Sequence, residues 1–472
     1  MRIARVLTGP VVALTIAAAP ALPAEGPVVV EDVRVPPVPL GDLQRSIAGD
    51  RGIHLGGIGS GLFPAGRRGD YWMVTDRGPT GQVTVGADRR RTFPIPEFSP
   101  AIVQVATRFG VEIKKYLPLT GGSGEPVTGL SNRAGRDEAP YTWDGRRALP
   151  YDPGGVDPED VVRTSDGDFW LADEYGPSLL HVSGRGRVLA RHVPEGLRLT
   201  GAGYPVRRTL PAILASRRPN RGFEGLALGG GTLYVAVQSP LANPDEKTTA
   251  SSRAGRILTF DLRAGRVTGE YAYRFEDVAS FDPAANGDQG ELKISGLAHV
   301  SGRRLLVAER TDRVARVYRI DLAKATNLLG GRYDDPATTP SLEASALSPA
   351  TTPSLKESAL SPALRLPSKS LVADLPAVAP TLPGKVEGIA LLDPRTLVVT
   401  NDNDHGLGAF GADGRLVSSG VPTRIVTIRL PARSAEAVRG RARPARRPNA
   451  ASPTRPPAGT GSAPSRSRPA SR

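Results

Sequence analysis

The sequence contains no cysteine among its 472 residues and only five histidines. The absence of cysteine excludes a disulfide-stapled scaffold, a thiolate zinc site, an iron–sulfur cluster and a cysteine nucleophile. Aromatic residues are also scarce, at 5%, whereas glycine and proline supply 54 and 45 residues. This composition disfavours a helical bundle or coiled coil and predicts an all-β protein with many turns.

The longest apolar run lies at the N-terminus. Arg2 and Arg5 precede an apolar stretch at 6–19, and Ala19-Pro20-Ala21 and Ala24 are candidate cleavage positions. This pattern predicts a signal peptide over 1–24 and therefore a protein that is secreted, periplasmic or held in the cell envelope. An uncleaved anchor is the alternative, although the run is short for a membrane span.

The formal net charge of +14 lies mainly in the two ends of the chain. Residues 432–472 contain ten arginines and a single acid, and residues 1–24 contain two arginines and no acid, which leaves about +3 for the rest. The C-terminal segment, rich in Arg, Pro, Ala and Ser, has almost nothing with which to build a core, so we predict a disordered basic tail. Such a tail can contact acidic envelope polymers, whereas the near-neutral remainder predicts no specific nucleic-acid binding. We expect a monomer.

Between the ends, we predict an N-terminal extension at 25–49 and one large domain at 50–431. A 13-residue segment, ATTPSLEASALSP (337–349), is followed by its near copy ATTPSLKESALSP (350–362). Its Pro, Ser and Thr content predicts a low-complexity loop insertion over 337–363.

A second repeat runs through the predicted domain and consists of a polar residue, a glycine and an apolar pair. Its five copies begin Ser60-Gly61-Leu62, Glu159-Asp160-Val161, Glu224-Gly225-Leu226, Ser295-Gly296-Leu297 and Glu387-Gly388-Ile389, with Asp160 standing where the others have glycine. After each copy comes a turn and then a strand-like run that ends in a polar residue. The step between the two polar positions is 14 residues for Glu224–Gln238, Ser295–Glu309 and Glu387–Asn401.

Further strand pairs, such as 179–192 and 256–273, give each repeat about four strands. Units of this kind, recurring every 65 to 90 residues, are typical of a β-propeller. Five copies are visible and the strand-rich segment 101–119 has room for a degenerate sixth, so we predict a six-bladed β-propeller with long loop insertions. A β-sandwich is the alternative, but it does not explain the constant step.

In a propeller blade, the start of the innermost strand and the end of its antiparallel neighbour lie on the same face of the disc. The repeat therefore predicts a polar funnel at one end of the central channel, with Asp157 close to it. The candidate metal-ligating residues are Asp76, Glu159, Asp160, Asp173, Glu174, Glu224, Glu309, Glu387, Asn401, Asp402 and Asp404. The candidate catalytic residues are Glu159, Glu174, His405, Arg77 and Arg310.

Clustered carboxylates in a partly dry funnel must protonate, pair with arginine or bind a cation. Oxygen ligands suit Ca²⁺, which accepts six to eight of them in irregular geometry, and the few histidines disfavour zinc. The alternative is that the glutamates only cap hydrogen bonds between blades. His405 near the funnel is a candidate general acid or base. The sequence has no G-x-S-x-G elbow, no phosphate-binding G-x-x-x-x-G-K-[ST] loop and no H-E-x-x-H motif.

Several of these segments together resemble a known family. They are DPEDVVRTSDGDFWLADEYGPSLLHVSGRGRVL (157–189), NRGFEGLAL (220–228), KISGLAHV (293–300), LLVAERTD (305–312) and VEGIALLDPRTLVVTNDNDHG (386–406). Over about residues 50–430 the chain resembles the phytase-like family, whose members are described by "esterase-like activity of phytase". The resemblance implies a secreted β-propeller that hydrolyses small anionic or ester substrates.

By analogy with calcium-dependent propeller phytases, Ca²⁺ would bridge the carboxylates to a phosphate, and Arg77 and Arg310 would clamp its free oxygens. Two other functions remain open. One is a non-catalytic propeller that binds cell-envelope material and is tethered by its basic tail. The other is a lactonase-type propeller, which also uses calcium.

Overall fold

The computed structural model describes residues 26–345 and 364–432. The predicted signal peptide lies outside these ranges, as do residues 346–363 of the predicted loop insertion and residues 433–472 of the predicted tail.

The described residues are all-β, with three single-turn helices, α1 (Leu40–Leu43), α2 (Val278–Phe281) and α3 (Leu375–Val378). None of the helices in these ranges has the length and apolar composition needed to cross a lipid bilayer. The strands are, in chain order, β1 (Val28–Arg34), β2 (Gly61–Pro64), β3 (Asp70–Val74), β4 (Gly81–Val85), β5 (Asp88–Thr92), β6 (Ala101–Ala106), β7 (Glu112–Pro118), β8 (Pro140–Tyr141), β9 (Pro158–Arg163), β10 (Phe169–Asp173), β11 (Ser178–Val182), β12 (Val188–Pro194), β13 (Val206–Leu210), β14 (Phe223–Gly229), β15 (Thr232–Val237), β16 (Ala254–Asp261), β17 (Arg266–Arg274), β18 (Lys293–Ser301), β19 (Arg304–Arg310), β20 (Ala315–Asp321), β21 (Ser368–Asp374), β22 (Val386–Asp393), β23 (Thr396–Asn401), β24 (Leu407–Phe410), β25 (Leu416–Ser418) and β26 (Arg424–Arg429).

Within the described ranges, five sheets contain four or five strands each. Sheet I has the order β2-β3-β6-β7, sheet II β9 to β13, sheet III β14 to β17, sheet IV β18 to β21, and sheet V β22-β23-β26-β1. Neighbouring strands are antiparallel, except that β13 runs parallel to β12. The predicted N-terminal extension supplies β1, which pairs with β26, so both ends of the described chain meet in sheet V.

The five sheets follow one another in a cyclic order. Their first strands, β2, β9, β14, β18 and β22, contact one another in that sequence, and β22 in turn contacts β2. Five hydrophobic clusters lie between neighbouring sheets. Between sheets I and II, for example, Trp72 packs on Phe169 with ring centroids 4.8 Å apart. Because sheets cover both faces, strands such as β10 are buried along their whole length and lack a polar alternation.

The repeated motif lies on these five first strands, which approach one another very closely. A Cβ atom on Gly296 would lie 2.4 Å from the carbonyl oxygen of Glu387, and one on Gly388 would lie 3.0 Å from the backbone of Gly61. No side chain fits at such distances, and this explains why four of the five copies carry glycine after the polar residue.

Asp160, the exception to the glycine, fills the centre of this ring. Its carboxylate accepts hydrogen bonds from the backbone N–H groups of Val161 at 2.8 Å and of Leu226 at 2.7 Å. Its carboxylate thus joins sheets II and III by hydrogen bonds, and it lies directly against sheet I, where a Cβ on Gly61 would be 2.9 Å from Oδ1. Asp160 was predicted as a metal ligand, and that prediction was wrong because backbone donors occupy its oxygens.

The sixth repeat predicted at 101–119 is not a separate sheet. These residues form β6 and β7, the third and fourth strands of sheet I. The prediction was wrong because 26 residues, 75–100, intervene between β3 and β6 and contain β4 and β5 of an accessory sheet. The two halves of sheet I therefore look like separate units in the sequence.

We expect Asp160→Ala to lower the free energy of unfolding by about 3 kcal/mol or more, because it leaves the buried N–H groups of Val161 and Leu226 without this acceptor. Asp160→Asn, which keeps one acceptor oxygen, should lose less. The measurement is urea unfolding followed by tryptophan fluorescence, with Glu195→Ala at an exposed position as the control. An Asp160→Ala protein as stable as the control would contradict this function of the carboxylate.

Candidate functional site

A cavity of about 410 Å³ lies where strands of all five sheets begin or end. Antiparallel pairing of each first strand with its neighbour produces this arrangement, since Asp173 at the end of β10 lies opposite Pro158 at the start of β9. The residues predicted from the repeat that line the cavity are Asp76, Arg77, Glu159, Glu174, Glu224, Gln238, Arg310, Glu387, Asp402 and Asp404.

Two accessory elements form part of the cavity wall. The sheet β4-β5-β8 contributes Gln82 and Arg91, and the hairpin β24-β25 contributes Leu407. Trp143, which follows β8, packs on Phe410 of the hairpin with ring centroids 5.7 Å apart. Neither accessory element was predicted from the sequence. Residues 81–92 nevertheless contain an alternation of polar and apolar side chains before a Gly-containing turn, which is typical of a β-hairpin.

The cavity has mixed charge, and this corrects the expectation of a mainly acidic funnel. Its described lining contains eight carboxylates and six basic side chains. Lys293 and Lys385, which were not predicted, each precede a motif polar residue by two positions. Because side chains two apart in a strand share a face, this offset could have identified Lys293, which lies in β18. It could not have identified Lys385, which precedes β22 and has a left-handed backbone conformation with φ of 56°.

On one side of the cavity, three carboxylates lie close together. Asp157, Glu159 and Glu174 each offer an oxygen atom within 4.8 Å of the other two. Asp157 pairs with Arg77, whose Nη1 is 3.2 Å from Oδ2. The carboxylates of Glu159 and Glu174 have no hydrogen bond or ion pair with any described residue. Three converging carboxylates, two of them unpaired, form a cluster of hard oxygen ligands that fits a divalent cation such as Ca²⁺.

Burial and mutual repulsion make these carboxyl groups hard to ionise without a cation. Desolvation, with the charge of Asp157 adding to it, raises the pKa of Glu174 to about 7. Burial raises the pKa of Asp157 to about 6, although Arg77 acts in the opposite direction. Burial and the nearby Glu224 raise the pKa of Glu159 well above its usual range.

The opposite side of the cavity contains paired charges. Arg310 bonds to Glu387, lies 3.7 Å from Glu224 and donates to Asp312 at 2.8 Å. Lys385 bonds to Asp402 at 3.1 Å and also to Asp404. The second carboxylate oxygens of Glu224 and Glu387 are buried without a hydrogen-bond partner. On this side of the cavity the carboxylates are therefore neutralised by ion pairs with Arg310 and Lys385.

Three further predicted ligands do not reach the cavity, because their polar atoms are already bonded elsewhere. Asp173 pairs with the buried Arg191 at 2.6 Å and accepts from the N–H of Asp157 at 2.8 Å. Glu309 bonds to Tyr273 and Lys369 and accepts from the Glu276 N–H at 3.2 Å.

Asn401 accepts from the N–H of Arg424 at 2.8 Å and donates to the carbonyl of Pro422 at 3.1 Å. The prediction of these three residues as metal ligands was wrong, since position along a strand does not reveal which neighbours a side chain meets.

His405 is buried and is not one of the side chains that line the cavity, and its predicted function as an acid or base stays a prediction. Its Nε2 lies 3.1 Å from Oδ1 of Asp76, which does line the cavity. The glycine-rich segment before β2 permits this contact, because a Cβ on Gly57 would lie 2.6 Å from both Asp76 and His405. His405 therefore positions Asp76.

We expect the stability of the protein in a chelating buffer to fall between about pH 5 and pH 8. The pKa of Glu174 is 4.5 in an ordinary environment and about 7 in the folded protein, so the folded state binds more protons in this window and loses that advantage as the pH rises. Glu174→Gln should reduce the loss by up to about 3 kcal/mol. The measurement is urea unfolding across this pH range, with Glu195→Gln as the control. Equal slopes for Glu174→Gln and wild type would contradict the raised pKa.

Comparisons with known proteins agree with the sequence resemblance. A family model named "Phytase-like: Esterase-like activity of phytase" matches residues 53–405. A protein of Arthroderma benhamiae, described as an uncharacterized secreted protein, is 29% identical over 269 residues, which make up 48% of this chain and 52% of that protein. The chain thus spans about half the length of this curated relative.

Solved structures give much lower similarity. A luciferin-regenerating enzyme is 12% identical, with a TM-score of 0.33 over 79% of this chain and 92% of its own. The aldose sugar dehydrogenase of Streptomyces coelicolor is 12% identical, with a TM-score of 0.31 over 87% and 99%. Virginiamycin B lyase of Staphylococcus aureus is 12% identical, with a TM-score of 0.28 over 78% and 94%. These values are too low to transfer an activity. The match over 53–405 covers most of the sequence. The chain therefore belongs to the phytase-like family, whose description is "esterase-like activity of phytase".

Proposed function

We propose that the five sheets are the blades of a five-bladed β-propeller and that the protein is a secreted hydrolase of phosphoesters or carboxyl esters. The reaction would take place in the cavity, with calcium held by Asp157, Glu159 and Glu174. The observation that carries this proposal is the convergence of these three carboxylates, two of them without a partner, in a cavity that also holds six basic side chains.

The residues present fit calcium better than zinc. The three side chains offer only oxygen, which disfavours zinc, and they leave ligand positions for water and substrate, since Ca²⁺ accepts six to eight oxygens. A bound calcium ion would supply a positive charge that polarises the scissile ester or phosphoryl group. Arg77 would orient Asp157 through their ion pair, and the accessory sheet and hairpin would restrict the entry of water.

Export of the protein is supported by the predicted signal peptide and by the relative described as secreted. Family membership supports the hydrolase assignment, since the family description names an esterase-like activity. The contact between the basic tail and acidic envelope polymers stays a prediction, as does the monomeric state.

We expect the wild-type protein to hydrolyse p-nitrophenyl phosphate or p-nitrophenyl acetate, to lose this activity on chelation and to recover it with calcium. Glu159→Gln should lower the activity by about 100-fold or more, because it removes a ligand of the calcium ion whose charge would polarise the substrate. The measurements are the rate of nitrophenol release and calcium binding by titration calorimetry, with Glu195→Gln as the control.

The same variant also separates a lost ligand from a damaged fold. Without calcium, Glu159→Gln should melt at or above the wild-type temperature, because one of three repelling carboxylates has been neutralised. Calcium should raise the melting temperature of the wild type more than that of the variant. Activity that survives chelation would exclude the metal mechanism. Hydrolysis of lactones alone would favour the lactonase-type alternative, and binding of envelope material without any turnover would favour the non-catalytic one.

A further inference from the structure

Arg221 differs from the other basic residues of the cavity. It lines the cavity and is partly exposed, and no described carboxylate lies within the 4.0 Å that defines an ion pair. The other five basic residues each have such a partner: Arg77 with Asp157 at 3.2 Å, Arg91 with Glu138 at 2.9 Å, Lys293 with Asp312 at 3.3 Å, Lys385 with Asp402 at 3.1 Å, and Arg310 with Glu387.

The backbone around Arg221 is fixed against the carboxylate cluster. A Cβ on Gly222 would lie 2.0 Å from the carbonyl oxygen of Glu174, so only glycine allows the segment to pack there. The Gly222 carbonyl accepts from the N–H of Gln238 at 2.9 Å. Arg221 itself donates from Nη1 to the carbonyl of Asn220 at 2.8 Å. Its Nε and Nη2 donate to no described residue.

Arg221 lines the same cavity as Glu174 of the carboxylate cluster and Lys293 of sheet IV. The segment that carries it packs directly on the Glu174 backbone, whereas Lys293 is one of the paired charges. A guanidinium with unused N–H donors at this point is suited to bind an oxyanion, because it can make two parallel, charge-assisted hydrogen bonds.

We propose that Arg221 binds the free oxygens of a phosphate monoester and thereby selects phosphoesters over neutral carboxyl esters. This inference rests on the proposed hydrolase function and names its substrate class. Arg77 and Arg310, the residues predicted from the sequence to clamp the phosphate, are already held by Asp157 and Glu387. The charge of each is already balanced by a buried carboxylate, and separating such a pair is costly.

The direct test is the binding of inorganic phosphate, measured by titration calorimetry with and without calcium. Arg221→Gln should weaken binding by about tenfold or more, which corresponds to at least ~1.4 kcal/mol. Arg221→Lys should weaken binding less, since it keeps the charge but loses the forked geometry. Arg263→Gln, at an exposed position outside the cavity, is the matched control and should bind like the wild type.

Steady-state kinetics supply a second readout. For p-nitrophenyl phosphate, Arg221→Gln should raise KM by about tenfold or more, whereas for p-nitrophenyl acetate KM should change by less than about twofold. Equal changes for both substrates would indicate general damage to the cavity and would overturn the inference. Melting temperatures of all variants, measured in parallel, check that each is folded.

The outcomes separate this inference from the proposed function. If Arg221→Gln binds phosphate as tightly as the wild type, or if the wild type binds none, the inference fails even when ester hydrolysis is found. If phosphate binding depends on Arg221 but the wild type hydrolyses neither ester, the proposed function fails and the anion-binding role stands.

Discussion

The close approach of five backbone strands around one carboxylate is the constraint on which the rest of the structure depends. The strands β2, β9, β14, β18 and β22 come so near one another that four of them need glycine at the contact. The fifth carries Asp160, which accepts hydrogen bonds from the N–H groups of Leu226 and Val161. Because buried N–H groups without acceptors are costly, this side chain stabilises the contact between sheets II and III at the centre of the ring.

This tight centre also determines the chemistry of the cavity. The polar residue before each glycine or Asp160 has to lie near the ring axis, so Glu159, Glu224 and Glu387 are brought together at one end. Their burial would be unfavourable without compensation. Arg310 pairs with two of the glutamates, Glu224 and Glu387, whereas in the cluster around Glu159 only Asp157 has an ion-pair partner, Arg77. The difference between the two sides makes one of them suitable for a cation.

Much of the fold and part of the site could be predicted from the sequence. The motif identified the five first strands and ten of the residues that line the cavity. The sequence could not reveal that 101–119 completes sheet I, because strand pairing across the 75–100 insertion depends on contacts that are distant in the chain. It also missed Arg221, which follows Asn220 in a segment without periodicity and differs from the other basic residues of the cavity only in having no described carboxylate as an ion-pair partner.

The sequence by itself determined the all-β class, the repeat and the face on which the motif's polar residues gather, because these follow from strand periodicity and constant spacing. Only the tertiary structure decided which acids are available. Asp173 and Glu309 resemble Glu159 and Glu174 in the sequence, yet Arg191 neutralises the first and Lys369 the second. The availability of a carboxylate depends on which side chains of other strands pack against it, and the sequence around the carboxylate does not show those neighbours.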